Sequence, residues 1–122
     1  MVILIVDSSA QIIERLAEII SESKNIKTIH RAVSYAQASA LFNTCKPDVV
    51  LLDAGLPGNR SVDLLKEIKA TNAKTVVIVL SIHIDVLTKQ KFTSAGADFF
   101  FDKYHEFEQI TGAINMIAAN KN

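Results

Sequence analysis

VVLLDAGLPG, residues 49–58, decides how the rest of the chain is read. Four apolar residues, Val49 to Leu52, run straight into Asp53, and Gly55, Pro57 and Gly58 then break the chain. A strand apolar on both faces belongs inside a parallel sheet covered by helices. A carboxylate ends such a strand only where the sheet opens, because an unpaired charge in its interior is too costly. The stretch therefore predicts a central strand with a chemical group at its carboxyl end.

Working outward, the same grammar repeats. VILIV (2–6) is another β-branched run and also ends on an acid, Asp7. Ile12, Leu16, Ile19 and Ile20 follow with helical spacing, and Ser8 and Gln11 are spaced as a capping box, which places the helix start at Ser8. IKTIHRAV (26–33) is more polar, as suits an edge strand. Ala38, Leu41, Phe42 and Cys45 share one face of a second helix, opened by Ser34 and Gln37 at capping-box spacing and followed by Pro47. Beyond the Pro57–Gly58 turn, Leu64, Leu65 and Ile68 mark a short third helix. TVVIVL (75–80) is a fourth strand, residues 85–95 a weaker helix stopped by Gly96, and ADFFF (97–101) a fifth strand. Phe107, Ile110, Ile114 and Ile117 give the last amphipathic helix.

Five βα units with apolar strands predict an α/β, doubly wound, five-stranded parallel sheet. The flavodoxin-like order 2-1-3-4-5 places the polar second strand at an edge. The 122 residues read as a single domain, with no linker or repeat. Thirteen basic and 13 acidic residues cancel to a formal net charge of +0, which argues against a dedicated nucleic-acid binder. No apolar run approaches the roughly 18 residues of a membrane span. The single cysteine, Cys45, permits no disulfide within the chain, which fits a reducing, cytoplasmic setting.

In such sheets, sites form at the carboxyl ends of the strands. There stand Asp7, Asp53, Ser81 and, past Asp102, Lys103. Two converging carboxylates repel, and a divalent cation removes the repulsion; an all-oxygen ligand set suits Mg²⁺. A hydroxyl and an ammonium beside that metal suit a phosphoryl group, and Asp53 is placed to accept one as a nucleophile. Asp7 also stands where a carboxylate favours the positive end of the first helix, and Ser8 where a helix cap belongs. His30, His83 and His105 lack metal-ligand spacing and read as surface or loop residues, although His83, two positions past Ser81, is near enough in sequence to affect a phosphoaspartate.

Over its full length the chain resembles the receiver domains of two-component response regulators. ILIVD (3–7), PDVVLLDAGLPG (47–58), VVIVLS (76–81) and AGADFFFDK (95–103) carry the likeness in that order. The resemblance implies phosphorylation of Asp53 by a sensor histidine kinase or phosphotransfer protein. It implies Mg²⁺ held by Asp7, Asp53 and the Gly55 carbonyl, Ser81 as the switch hydroxyl and Lys103 as the phosphate-pairing lysine. Phe100 falls at the aromatic position that turns inward on activation. The face made by the fourth helix, fifth strand and fifth helix would then meet a downstream protein or a second copy of the chain, with neither nucleic acid nor membrane as a direct partner. A standalone receiver, 1–122 without an output domain, is the expected organisation.

Four positions depart from that family pattern. Ser8 replaces a second acid and predicts a weakened Mg²⁺ site. Ile82 replaces a small residue and narrows access to Asp53. Tyr104 replaces proline, and PGNRS lacks a second glycine. Ser8 and Ile82 support an alternative function, a pseudo-receiver that binds partners without phosphorylation. A turnover phosphohydrolase would want an acid two residues after Asp53, where Gly55 stands.

Overall fold

A computed structural model describes residues 1–82 and 85–120. Five strands, β1 (Val2–Val6), β2 (Thr28–Ala32), β3 (Val49–Asp53), β4 (Val76–Ser81) and β5 (Phe99–Asp102), alternate with five helices. The helices are α1 (Ala10–Ile20), α2 (Tyr35–Cys45), α3 (Arg60–Thr71), α4 (Val86–Ser94) and α5 (Phe107–Ala119). All strand pairs are parallel, and the sheet order is β2-β1-β3-β4-β5, as the alternation predicts.

The pleat divides the core in two. Leu4, Val6, Val50, Leu52, Val77 and Val79 face one way, onto Ala38 and Phe42 of α2, Leu64, Leu65 and Ile68 of α3, and Phe92 of α4. Ile3, Ile5, Val49, Leu51, Ile78 and Leu80 face the other, onto α1 and α5. The two inner faces of β3 are thus both apolar, which is what the unbroken run Val49–Leu52 records. Truncating a buried leucine or isoleucine in either layer to alanine costs about 2–5 kcal/mol.

Several local readings shift. The cap of α1 is Ser9, whose Oγ accepts from the Ile12 N–H at 3.3 Å; Ser8 is exposed. The cause is Asp7, whose Oδ1 accepts the Ser9 N–H at 2.8 Å and so spends one more residue on the turn. The buried stripe of α1 is accordingly Ile13, Leu16, Ala17 and Ile20. Ser34 does cap α2, but Gln37 reaches back to the Val33 N–H rather than to that of the cap residue. The third helix is not short: it runs 12 residues, because good helix formers such as Lys66, Glu67 and Lys69, which give no apolar signal, sustain it past Leu65. The fifth strand starts at Phe99, two residues after its expected start. His30 lies within β2 and is half-buried, whereas His105 sits in an exposed turn. His83 lies outside the described residues. Gly96 does follow α4 as its stop, with φ +113°.

Candidate phosphoacceptor site

Asp7, Asp53 and Ser81 end, or directly follow, three adjacent strands, and Lys103 follows β5. Parallel register brings them to one rim: Asp53 lies opposite Leu80, one residue before Ser81, and Ser81 lies opposite Asp102. All four side chains are buried, with residue exposures of 1% for Asp7, 7% for Asp53, 5% for Ser81 and 7% for Lys103. Burial of this many polar groups in one place is affordable only if they answer one another's charge.

Lys103 does this. Its Nζ lies 2.6 Å from Asp7 Oδ2 and 3.2 Å from Asp53 Oδ1, bridging the two acids. Its own N–H is fixed on the Ser81 carbonyl at 2.9 Å. Burial disfavours the ammonium, but the Asp7 contact and the charges of Asp53 and Asp7 outweigh it, and the Lys103 pKa rises above its ordinary 10.5. Desolvation raises the Asp7 pKa above its ordinary 3.8, against the opposing pull of Lys103 and the Ser9 N–H.

The acids also shape the backbone. Asp7 Oδ1 accepts from the N–H two residues on, and so do Asp53 Oδ1 from Gly55 at 3.0 Å and Asp102 Oδ1 from Tyr104 at 2.8 Å. Each acid turns the chain out of its strand. Asp102 adds the His105 N–H at 2.9 Å and His105 Nδ1 at 3.0 Å. The Tyr104 N–H first, then His105, holds the Asp102 carboxyl below its ordinary value. This carboxylate-built turn occupies the place where the family pattern has proline. No cis peptide bond is present among the described residues.

Mg²⁺ fits the residues present. Asp7 Oδ2 is buried, and its neighbouring cation is Lys103 Nζ at 2.6 Å. Asp53 keeps its contacts on Oδ1, and the two buried carboxylates together present an all-oxygen donor set. Oxygen donors of this kind are what a hard divalent cation takes. Among the described residues no three His, Cys, Asp or Glu side chains gather as a metal-binding group, and serine stands at position 8.

A family model described as the response regulator receiver domain matches residues 3–115. The chain belongs to this family. Receiver domains generally bind Mg²⁺ at the phosphorylation site and interact with histidine kinases and downstream targets. Among similar receivers, the protein-glutamate methylesterase/protein-glutamine glutaminase of Idiomarina loihiensis is 32% identical over 88% of this chain and 28% of its own length. The nitrate/nitrite response regulator protein NarL of Escherichia coli is 29% identical over 98% of this chain and 55% of its own. This receiver thus spans about half, or less, of these relatives. Among solved structures, the response regulator domain of Thermotoga maritima CheB aligns with TM-score 0.79 at 25% identity, covering 98% of this chain and 93% of that one. The signal receiver domain of a DNA-binding response regulator from Colwellia psychrerythraea gives TM-score 0.90 at 24% identity, over 98% and 99%.

Phe100 is half-buried on the α4 side, its ring 6.0 Å from that of Phe92. Phe99 and Phe101 stack at 5.7 Å on the opposite face of the receiver sheet. Ile82, next to Ser81, is 54% exposed. Gly55 is also exposed, in the loop after Asp53. Ser61 was missed by sequence reasoning. It is 1% exposed, and its hydroxyl donates to the Asp53 carbonyl at 2.7 Å while accepting the Leu56 N–H at 3.0 Å. The lost glycine in PGNRS was its one available signal. Among the described residues no helix is long and apolar enough to cross a membrane.

Proposed function

We propose that this receiver accepts a phosphoryl group on Asp53 from a sensor histidine kinase or phosphotransfer protein, and that acceptance switches a protein-binding surface. The observation that carries the reading is the buried Asp7–Lys103–Asp53 bridge, with Asp53 Oδ1 engaged and its second oxygen left for nucleophilic attack.

In the transfer, Asp53 Oδ2 attacks phosphorus as the bond from phosphorus to the donor's imidazole nitrogen breaks. The electron pair of that bond leaves with the imidazole, and an acyl phosphate forms on Asp53. The Gly55 N–H and Lys103 hold Oδ1 so that Oδ2 is oriented. Lys103 then pairs with a phosphoryl oxygen, and the Ser81 hydroxyl donates to another. Asp7, Asp53 and the Gly55 carbonyl would hold Mg²⁺, which would neutralise charge on the phosphoryl oxygens. Ser8 contributes no charge, so this chain binds Mg²⁺ more weakly than a receiver with two acids there. Drawing Ser81 toward the phosphoryl group vacates space on the α4 side of β4, where Phe100 already packs. Phe100 moving inward shifts α4 and α5 on the sheet and reshapes the α4-β5-α5 face for a downstream protein or a second copy. Output runs through protein contacts in the cytoplasm, and the receiver is a phosphoacceptor rather than a turnover enzyme.

Ser8 and the exposed Ile82 favour a second reading, a pseudo-receiver that binds partners without phosphorylation. Intact-mass spectrometry after incubation with acetyl phosphate, with and without Mg²⁺, separates the two. The expected result is a gain of one phosphoryl group that requires Mg²⁺ and is absent from Asp53→Asn. No gain at high Mg²⁺ refutes the phosphoacceptor and leaves the pseudo-receiver.

A further inference from the structure

We infer that Ser61 is a positioning residue that fixes the direction of the Gly55 carbonyl and thereby sets the affinity of the Mg²⁺ site. The inference rests on the phosphoacceptor reading, which gives that carbonyl its role.

A peptide unit is planar, and in the trans form its C=O and N–H point in opposite directions. The carbonyl of Gly55 and the N–H of Leu56 belong to one such unit. No cis peptide bond occurs among the described residues, so the rule applies here. Ser61 Oγ accepts that Leu56 N–H at 3.0 Å. Ser61 is almost fully buried, so the N–H points inward and the Gly55 carbonyl is turned the opposite way, away from α3.

The rest of the loop gives this one bond its leverage. The Ala54 N–H is held by the Leu80 carbonyl at 2.8 Å, and the Gly55 N–H by Asp53 Oδ1 at 3.0 Å. The Leu56 side chain is seated in the core. The same Ser61 hydroxyl gives its proton to the Asp53 carbonyl at 2.7 Å, tying the first residue of the loop to the last. Among these anchors, only the Ser61 bond acts on the 55–56 peptide plane. Glycine at position 55 adds no side chain to resist rotation of that plane. With only two carboxylates at the site, a correctly aimed carbonyl matters more here than where a third acid is present.

The test is an Mg²⁺ titration of the unphosphorylated receiver, followed by amide chemical shifts of Gly55 and Leu56, for wild type, Ser61→Ala, Ser61→Thr and Ile68→Val. Threonine keeps the hydroxyl. Ile68→Val lowers stability from the same helix without touching the loop. Thermal denaturation confirms that each variant is folded. The Ser61→Ala midpoint is expected to weaken about tenfold, the scale typical of groups that orient metal ligands, while Ser61→Thr and Ile68→Val stay near wild type. A Ser61→Ala midpoint equal to that of wild type overturns the inference and leaves the receiver reading intact. An Ile68→Val midpoint weakened as much as that of Ser61→Ala also overturns it, since general loosening then accounts for the effect. Wild-type amides unmoved by Mg²⁺ overturn the metal reading itself.

Discussion

Replacing Lys103 by methionine keeps most of the side-chain volume and removes the only ammonium between two buried acids. With an effective dielectric of about 20, unit charges at the observed 2.6 Å and 3.2 Å attract by about 6 and about 5 kcal/mol. These are gross figures, and desolvation of the three charged groups consumes much of them. A firmer bound comes from protons. A stranded carboxylate escapes its penalty by taking one up, and from an ordinary pKa of 3.8 that costs about 4 kcal/mol at pH 7. The expected loss for Lys103→Met is therefore about 3–4 kcal/mol at pH 7, matching the usual cost of breaking a buried pair from one side.

The pH dependence identifies the cause. In the variant Asp7 stays buried without its cation, so its folded-state pKa lies further above its ordinary 3.8 than in wild type; the folded state binds more protons, and stability falls as pH rises through the window above 3.8. The gap from wild type should shrink by about 1.4 kcal/mol per unit as pH drops from 7, until about 1 kcal/mol of lost packing remains by about pH 5. At the alkaline end, the Lys103 pKa is raised, so its contribution is intact below 10.5 and is lost as pH climbs through the folded value; there the gap closes again. Urea denaturation followed by far-UV circular dichroism suits a chain without tryptophan. Adding Asp7→Asn to Lys103→Met should recover about half of the loss at pH 7, because one stranded charge is gone. A gap that stays flat from pH 4 to 7, or a double variant no more stable than Lys103→Met, refutes the bridge as the reason for the loss.

Ser8→Asp should restore a second acid and tighten Mg²⁺ about tenfold in the same amide-shift titration, through ligand charge alone. Ser9→Ala should cost about 1 kcal/mol in urea denaturation through loss of the α1 cap, whereas Ser8→Ala should leave stability within about 0.5 kcal/mol.

The sheet was legible because its signal is redundant. Val49–Leu52 and Val77–Leu80 are buried on both faces, and five βα alternations leave few topologies. The strand-end acids were legible for the opposite reason: a charge at the end of an apolar run breaks the pattern. Helix starts and the loop anchor were not, because backbone bonds decide them. Ser8 and Ser9 are adjacent serines, and only the Asp7 turn selects the second as cap. Ser61 in sequence is merely an absent glycine, while in the fold it closes the loop that begins at Asp53.

The same geometry lets Asp53 form its turn and, in the proposed transfer, react. Its Oδ1 takes both the Gly55 N–H and Lys103, so the turn and the charge balance rest on one oxygen while the chemistry needs the other. Asparagine at position 53 can keep an oxygen toward Gly55, so Asp53→Asn should hold the loop and the fold while losing the nucleophile. Loss of phosphorylation with an unchanged denaturation midpoint is then the signature of that division between the two oxygens. A variant that unfolds shows that the charge, rather than the acceptor on Oδ1, was holding the loop.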